Sequence, residues 1–194
     1  MQKIKQLWAG FVDKHPKLSV WLREGGFFLI ISNLITLLRA LLTTLLTPAF
    51  IPLLGTETWG WPNIPLTLFG QTFAFQIVGY DESADGLAYT VAFYLASLVC
   101  EVVNFFMQRK YTFRSNGNIA FQGSIYFVAW CVVSVIVNAI NSIWTGVAVA
   151  FLPSLVYNLL TTFIQGGVAM IVFFFVNKII FKSSQNNAKD AENA

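Results

Sequence analysis

Residues 27–54 read FFLIISNLITLLRALLTTLLTPAFIPLL, an apolar run interrupted by one charged side chain, Arg39. A helix needs about 20 apolar residues to cross roughly 30 Å of hydrocarbon, and this run exceeds that. Three more stretches of the same character follow, at 87–108, 123–149 and 154–181. A soluble fold would have to hide four such helices in one small core. The first run is too long, and starts too late, for a cleavable signal peptide. The sequence therefore predicts an all-α integral membrane protein with four transmembrane helices.

Composition and charge placement agree. Of 194 residues, 56% are apolar and only 11% charged, too few to coat a soluble globule, and nineteen Phe with six Trp suit lipid contact and interfacial belts. Lysine and arginine fall into three groups: Lys3, Lys5, Lys14, Lys17 and Arg23; Arg109, Lys110 and Arg114; Lys178, Lys182 and Lys189. The connections 55–86 and 150–153 hold none, and the longer one carries Glu57, Asp81, Glu82 and Asp85. Positive residues stay cytoplasmic, so both termini and the middle loop are expected on the cytoplasmic side.

This divides the chain into a cytoplasmic amphipathic and basic segment (1–24), a membrane domain (25–182) and a polar, disordered tail (183–194). Ile4, Leu7, Trp8 and Phe11 share one helical face in a segment that ends at His15-Pro16. Such a face suits a short helix on the anionic inner leaflet; a disordered basic tail is the alternative. In the outer loop, Ile64, Leu66, Leu68, Phe73, Phe75 and Ile77 nearly alternate around Gly70-Gln71, which predicts a β-hairpin. Trp59, Trp61 and Tyr80 flank it and are expected to rest it on the outer interface, though aromatics there also suit stacking on a sugar.

Cys100 and Cys131 lie inside predicted spans and read as packing residues. A lone His15 makes no ligand cluster, and neither a Ser/His/Asp set nor a phosphate-binding glycine loop is present. No enzyme, metal, cofactor or nucleic-acid partner is expected.

The charges within the spans carry the functional question. Arg39 sits about 18 Å along helix one, and Glu101 two turns before the inner surface. Buried charges cost at least about 2.5–3.5 kcal/mol each, so they pair or line a pathway. Two arrangements answer this: a mutual Arg39–Glu101 ion pair, or Arg39 held for an anionic substrate. Helical spacing aligns Ser97, Glu101, Asn104 and Gln108 in helix two, and Ser134, Asn138 and Asn141 in helix three. Helix one offers Ser32 or Asn33, Thr36, Arg39 and Thr43; helix four offers Asn158, Thr161 and Gln165. Interhelical amides can serve as glue alone, but four converging stripes with an arginine point to a polar cavity.

The ends of helices two and four also resemble each other. Laying Phe113 on Phe181 matches Lys110 to Lys178, Arg114 to Lys182 and Ser115 to Ser183. Both ends face the same side, so the halves read as parallel-repeat hairpins. Asn104-Phe105, Gln108-Arg109, Tyr111 and Phe113, with Asn177-Lys178 and Phe181 as a second copy, resemble the GtrA-like family over about residues 22–182. Gln108 stands where that family more usually has Asn, and Lys178 where it has Arg.

The resemblance implies a flippase moving polyprenyl-phosphate-linked monosaccharides from the inner to the outer leaflet for cell-surface glycosylation, with membrane glycosyltransferases as partners. The phosphate of such a lipid needs cations at the inner leaflet, where Arg109, Lys110 and Lys178 are expected, and Arg39, an elaboration on the family's pattern, is expected to take it over halfway across. The sugar's path would be lined by Asn33, Glu101, Asn104, Gln108, Asn138, Asn141, Gln165 and Asn177. The path would be enclosed by one chain or by a homo-oligomer. Two other readings compete: a non-catalytic subunit that anchors or activates a glycosyltransferase, and a proton-coupled exporter of small cations working through Glu101.

Overall fold

The computed structural model describes residues 10–80, 85–153, 156–157, 160–161 and 163–192, with the side chains of 163, 165 and 182–192 left out. Most of the amphipathic segment predicted for residues 2–12, and Asn158, therefore lie outside the described residues; Gln165 is described in its backbone only.

Helix α1 spans Pro16–Leu54. Pro16 occupies its first turn, where a missing N–H costs nothing, and His15 ends the helical residues 10–14 with φ −135° and ψ 63°. The helix thus starts well before the apolar run, and the expected boundary at 24/25 falls inside a continuous helix. Its early turns are carried by tertiary contact: Ser19 and Glu24 are buried, and Glu24 pairs with Lys178. At 1.5 Å per residue, its 39 residues reach about 58 Å, beyond the hydrocarbon thickness.

Further along α1, Ile30, Leu34, Leu37, Leu41 and Leu45 form an exposed apolar stripe, while Phe28, Ile31 and Ile35 face the bundle. An apolar outer face reverses the soluble arrangement and suits lipid. Helix α2 spans Gly86–Met107 and continues into a π-helical turn, Gln108–Thr112. Its Ala88, Ala92, Ala96 and Cys100 recur every fourth residue with no exposed surface. Small side chains at that spacing let two helix backbones approach closely, and Cys100 packs on Ile31 and Ile35 of α1. Cys131 differs from expectation, being exposed on helix α3.

Helix α3, Ile119–Ala148, is capped by Asn118, whose side chain accepts from the Phe121 N–H at 3.1 Å. A second π-helical segment, Phe163–Val168, leads into α4, Ala169–Glu192. Among the described residues, three helices are long and apolar enough to cross a membrane: α1, α2 with its π turn, and α3. The expected fourth span contains the shorter apolar helix Gly166–Phe181. The tail expected to be disordered is instead helical, continuing α4 to Glu192 with no Gly or Pro to stop it.

Between α1 and α2 lies a two-tier antiparallel ribbon. Strands β2 (Ile64–Leu68) and β3 (Gln71–Phe75) pair Leu68 with Gln71 across a two-residue turn. Phe69 and Gly70 form that turn with φ of 51° and 78°, the left-handed pair that matches strand twist. Beyond them β1 (Trp59–Trp61) pairs with β4 (Val78–Tyr80). The inner tier is the predicted hairpin, turning one residue earlier than expected.

An aromatic core closes the opposite end of the bundle. Phe28, Phe105, Phe113, Tyr126, Ile180 and Phe181 are buried together, and Phe113 stacks on Phe181 with centroids 5.2 Å apart. The helix ends that resemble each other in sequence therefore meet in space, each with a fully buried amide, Gln108 or Asn177. From Gln108 to Phe113 there is one residue more than from Asn177 to Phe181. A π turn takes up one extra residue within a helix, and Gln108–Thr112 is such a turn.

Candidate functional site

A cavity of about 800 Å³ lies between α2, α3, the start of α4 and Arg39 of α1, with β3 and β4 across one end. Helix α2 contributes Phe93, Ser97 and Glu101, each one turn apart, with Tyr89 and Tyr94 beside them. Helix α3 contributes Trp130, Ser134, Asn138 and Asn141. This face begins one turn earlier at Tyr126, which donates to Glu101 Oε2 at 2.6 Å. Tyr126 and Trp130 continue the Ser134 stripe at helical spacing, a signal that the sequence carries.

The hairpin is part of the wall, not a cover resting on the outer interface. The Gln76 N–H donates to Ser142 Oγ at 2.9 Å. Phe73 lies so close to Gly146 that a Cβ there would collide with its ring. Tyr80, expected in an interfacial belt, turns inward against Tyr89 and Phe93, at centroid distances of 4.6 and 5.6 Å. Burial, then the neighbouring Tyr89 and Tyr94, pushes its phenol above the ordinary range, with Arg39 opposing. Tyr80 therefore stays protonated and can donate. Trp59 and Trp61 remain exposed. Ser142 and Gly146, two small residues one turn apart, were the sequence signal that something packs on α3.

Arg39 lies over the Phe93 ring, its Cζ 5.5 Å from the centroid. Glu101 does not pair with it. Glu101 Oε2 instead accepts from Tyr126 and from Asn104 Nδ2, the latter at 3.2 Å. Phe93 and Glu101 stand two turns apart on α2, about 12 Å along its axis, which keeps the two charges apart. Among the described residues the ion pair is Lys178–Glu24, at 2.7 Å. Two polar atoms of cavity residues are buried without a partner, Ser97 Oγ and Asn141 Oδ1, while Asn138 Nδ2 donates to Tyr94 OH at 3.3 Å.

The other expected phosphate ligands do not join Arg39. Arg109 Nε donates to Gln122 Oε1 at 3.1 Å and its Nη2 to the Gly117 carbonyl at 2.7 Å. Lys178 is held by Glu24 and sits 3.5 Å from the Trp21 ring centroid. Lys110 is exposed beside Tyr111. Arg109 and Lys178 thus make their contacts at the helix ends, outside the cavity lining, while Lys110 stays exposed.

Of the expected path-lining residues, Glu101, Asn138 and Asn141 line the cavity. Asn104 and Gln108 extend from it as a chain: Gln108 Nε2 donates to Asn104 Oδ1 at 3.3 Å, and Gln108 Oε1 accepts from Thr112 at 2.6 Å. Asn177 is fully buried with neither side-chain atom partnered, away from the cavity lining. Asn33 is exposed and donates to the Leu29 carbonyl of its own helix, the usual recourse of a polar side chain on a lipid-facing surface. No protein-family model, curated protein or solved structure matches the chain.

Proposed function

We propose that the chain is a flippase that carries a polyprenyl-phosphate-linked monosaccharide across a bacterial cytoplasmic membrane. In this reading α4 is a fourth span, the halves are parallel-repeat hairpins as in the GtrA-like resemblance, and both termini face the cytoplasm. The observation that supports it most directly is the cavity with Arg39 in its wall and, among the described residues, no carboxylate paired to it. An unpaired intramembrane cation is costly to keep, and an anionic headgroup compensates that cost. Phenols, amides and an indole around Arg39 offer donors, acceptors and flat apolar faces, as a sugar requires. The polyprenyl chain would stay in lipid.

This reading keeps the phosphate on Arg39 and gives Arg109 and Lys178 a different task. Arg39 binds the phosphate, whereas Arg109 and Lys178 brace the helix ends. In liposomes, the purified protein should move short-chain polyprenyl-phosphate glucose, galactose or N-acetylglucosamine between leaflets. Arg39→Ala should reduce that movement by about tenfold or more, the usual weight of a charge-assisted contact in a low-dielectric site, while leaving the protein folded. Transport that survives the substitution would remove Arg39 from the mechanism. No movement of any of the three lipids, with folded protein in the bilayer, would favour a glycosyltransferase-anchoring subunit.

A further inference from the structure

We infer that Glu101 selects the sugar: the cavity takes lipid-linked sugars that offer hydroxyl donors and excludes those that carry a carboxylate. This rests on the sugar-lipid reading above and adds a restriction which that reading does not contain.

Both hydrogen bonds to Glu101 fall on Oε2, from Tyr126 OH at 2.6 Å and Asn104 Nδ2 at 3.2 Å. These two donors, from α3 and α2, pin the carboxylate. Oε1 has no hydrogen-bond partner among the described residues, and Glu101 lines the cavity. A carboxylate oxygen only accepts, and bonds to an ionised acceptor are the stronger ones. The group that completes it is therefore a donor, and a pyranose hydroxyl supplies one. Trp130 lies one turn beyond Tyr126 on the same face of α3, and its indole offers an apolar plane to the ring's C–H face. Ser97, one turn from Glu101 on α2, adds a buried hydroxyl without a partner.

A uronate in this place would set a second carboxylate against Glu101, and like charges brought together in a binding site repel. Arg39 makes no ion pair with Glu101 and lies over Phe93, two turns away along α2, where the phosphate occupies it.

Binding to the full chain in nanodiscs tests this with four soluble probes: citronellyl phosphate, citronellyl-phosphate glucose, citronellyl-phosphate glucuronate and the glucuronate's methyl ester. The glucose lipid and the methyl ester should bind within about threefold of each other, and the glucuronate about tenfold or more weaker. Glu101→Gln keeps an oxygen for both donors and should bring the glucuronate within about threefold of its ester. The wild-type arm needs no variant: glucuronate binding as tightly as its ester overturns the inference. Discrimination that persists undiminished in Glu101→Gln overturns it as well. If none of the four binds, sugar-free citronellyl phosphate included, the sugar-lipid reading itself fails and takes this inference with it.

Discussion

Arg109 and Lys178 carry the helix ends of this bundle through different chemistry. Arg109 uses its fork to join Gln122 of α3 to the Gly117 carbonyl of the α2–α3 connection. Gln122 in turn donates to Ser115 Oγ at 2.8 Å. Arg109→Ala should cost about 1–3 kcal/mol in detergent unfolding, because it strands half-buried acceptors. Arg109→Lys should recover little, since an ammonium cannot span both acceptors in fixed geometry. Lys178 and Glu24 are only 17% and 12% exposed, so their attraction is less screened than that of a surface pair. A double-mutant cycle with Glu24→Gln and Lys178→Met should show coupling of about 1–2 kcal/mol. Coupling near zero would mean the pair merely coexists. The sequence marked these residues as basic and inward-facing, but not as engaged, because an engagement of this kind needs a partner far along the chain.

The hairpin is where local pattern and tertiary outcome separate. Alternation and Gly70 sufficed to predict its inner tier, since both arise from neighbours along the chain. Nothing local says that β3 leans on α3. That depends on Gly146, which leaves room for the Phe73 ring, and on Ser142, which takes the Gln76 N–H. Gly146→Ala should therefore unseat β3, costing about 1–3 kcal/mol as an overpacked contact. Limited proteolysis between residues 55 and 85 should accelerate. Adding Phe73→Ala should restore protection by removing the ring that the new methyl meets. If Gly146→Ala leaves cleavage unchanged, the hairpin is not held by this contact. The π turn at Gln108–Thr112 belongs to the same scale: it decides that Phe113 stacks on Phe181, a phase that an α-helical reading of the same residues would miss.

For the whole molecule, the apolar outer stripe of α1 and the basic asymmetry between connections lead to an orientation that labelling can measure. Single cysteines replacing Asn116 and Phe69, in a Cys100→Ala, Cys131→Ser background, should react from opposite sides of sealed vesicles. Asn116 should be reached from the cytoplasmic face, and Phe69, at the exposed hairpin tip, from the outer face. Labelling of both from one side would break the proposed topology.

Sequence by itself pointed to a helical membrane chain with four apolar runs, three of which lie in the long helices α1 to α3, to a hairpin between the first two, and to polar stripes along α2 and α3. Each of these follows from sums or periods over neighbouring residues, namely hydrocarbon thickness, charge counts and the 3.6-residue turn. Tertiary structure alone decided that Glu101 bonds Tyr126 rather than Arg39, that Arg109 and Lys178 are braces, that Asn33 faces outward and that the hairpin walls the cavity. Those outcomes depend on how far helices are rotated and staggered against one another. Rotation and stagger are set by packing between residues distant in the chain, such as the alanine face of α2 on α1 and Phe73 on Gly146, and no local pattern encodes them.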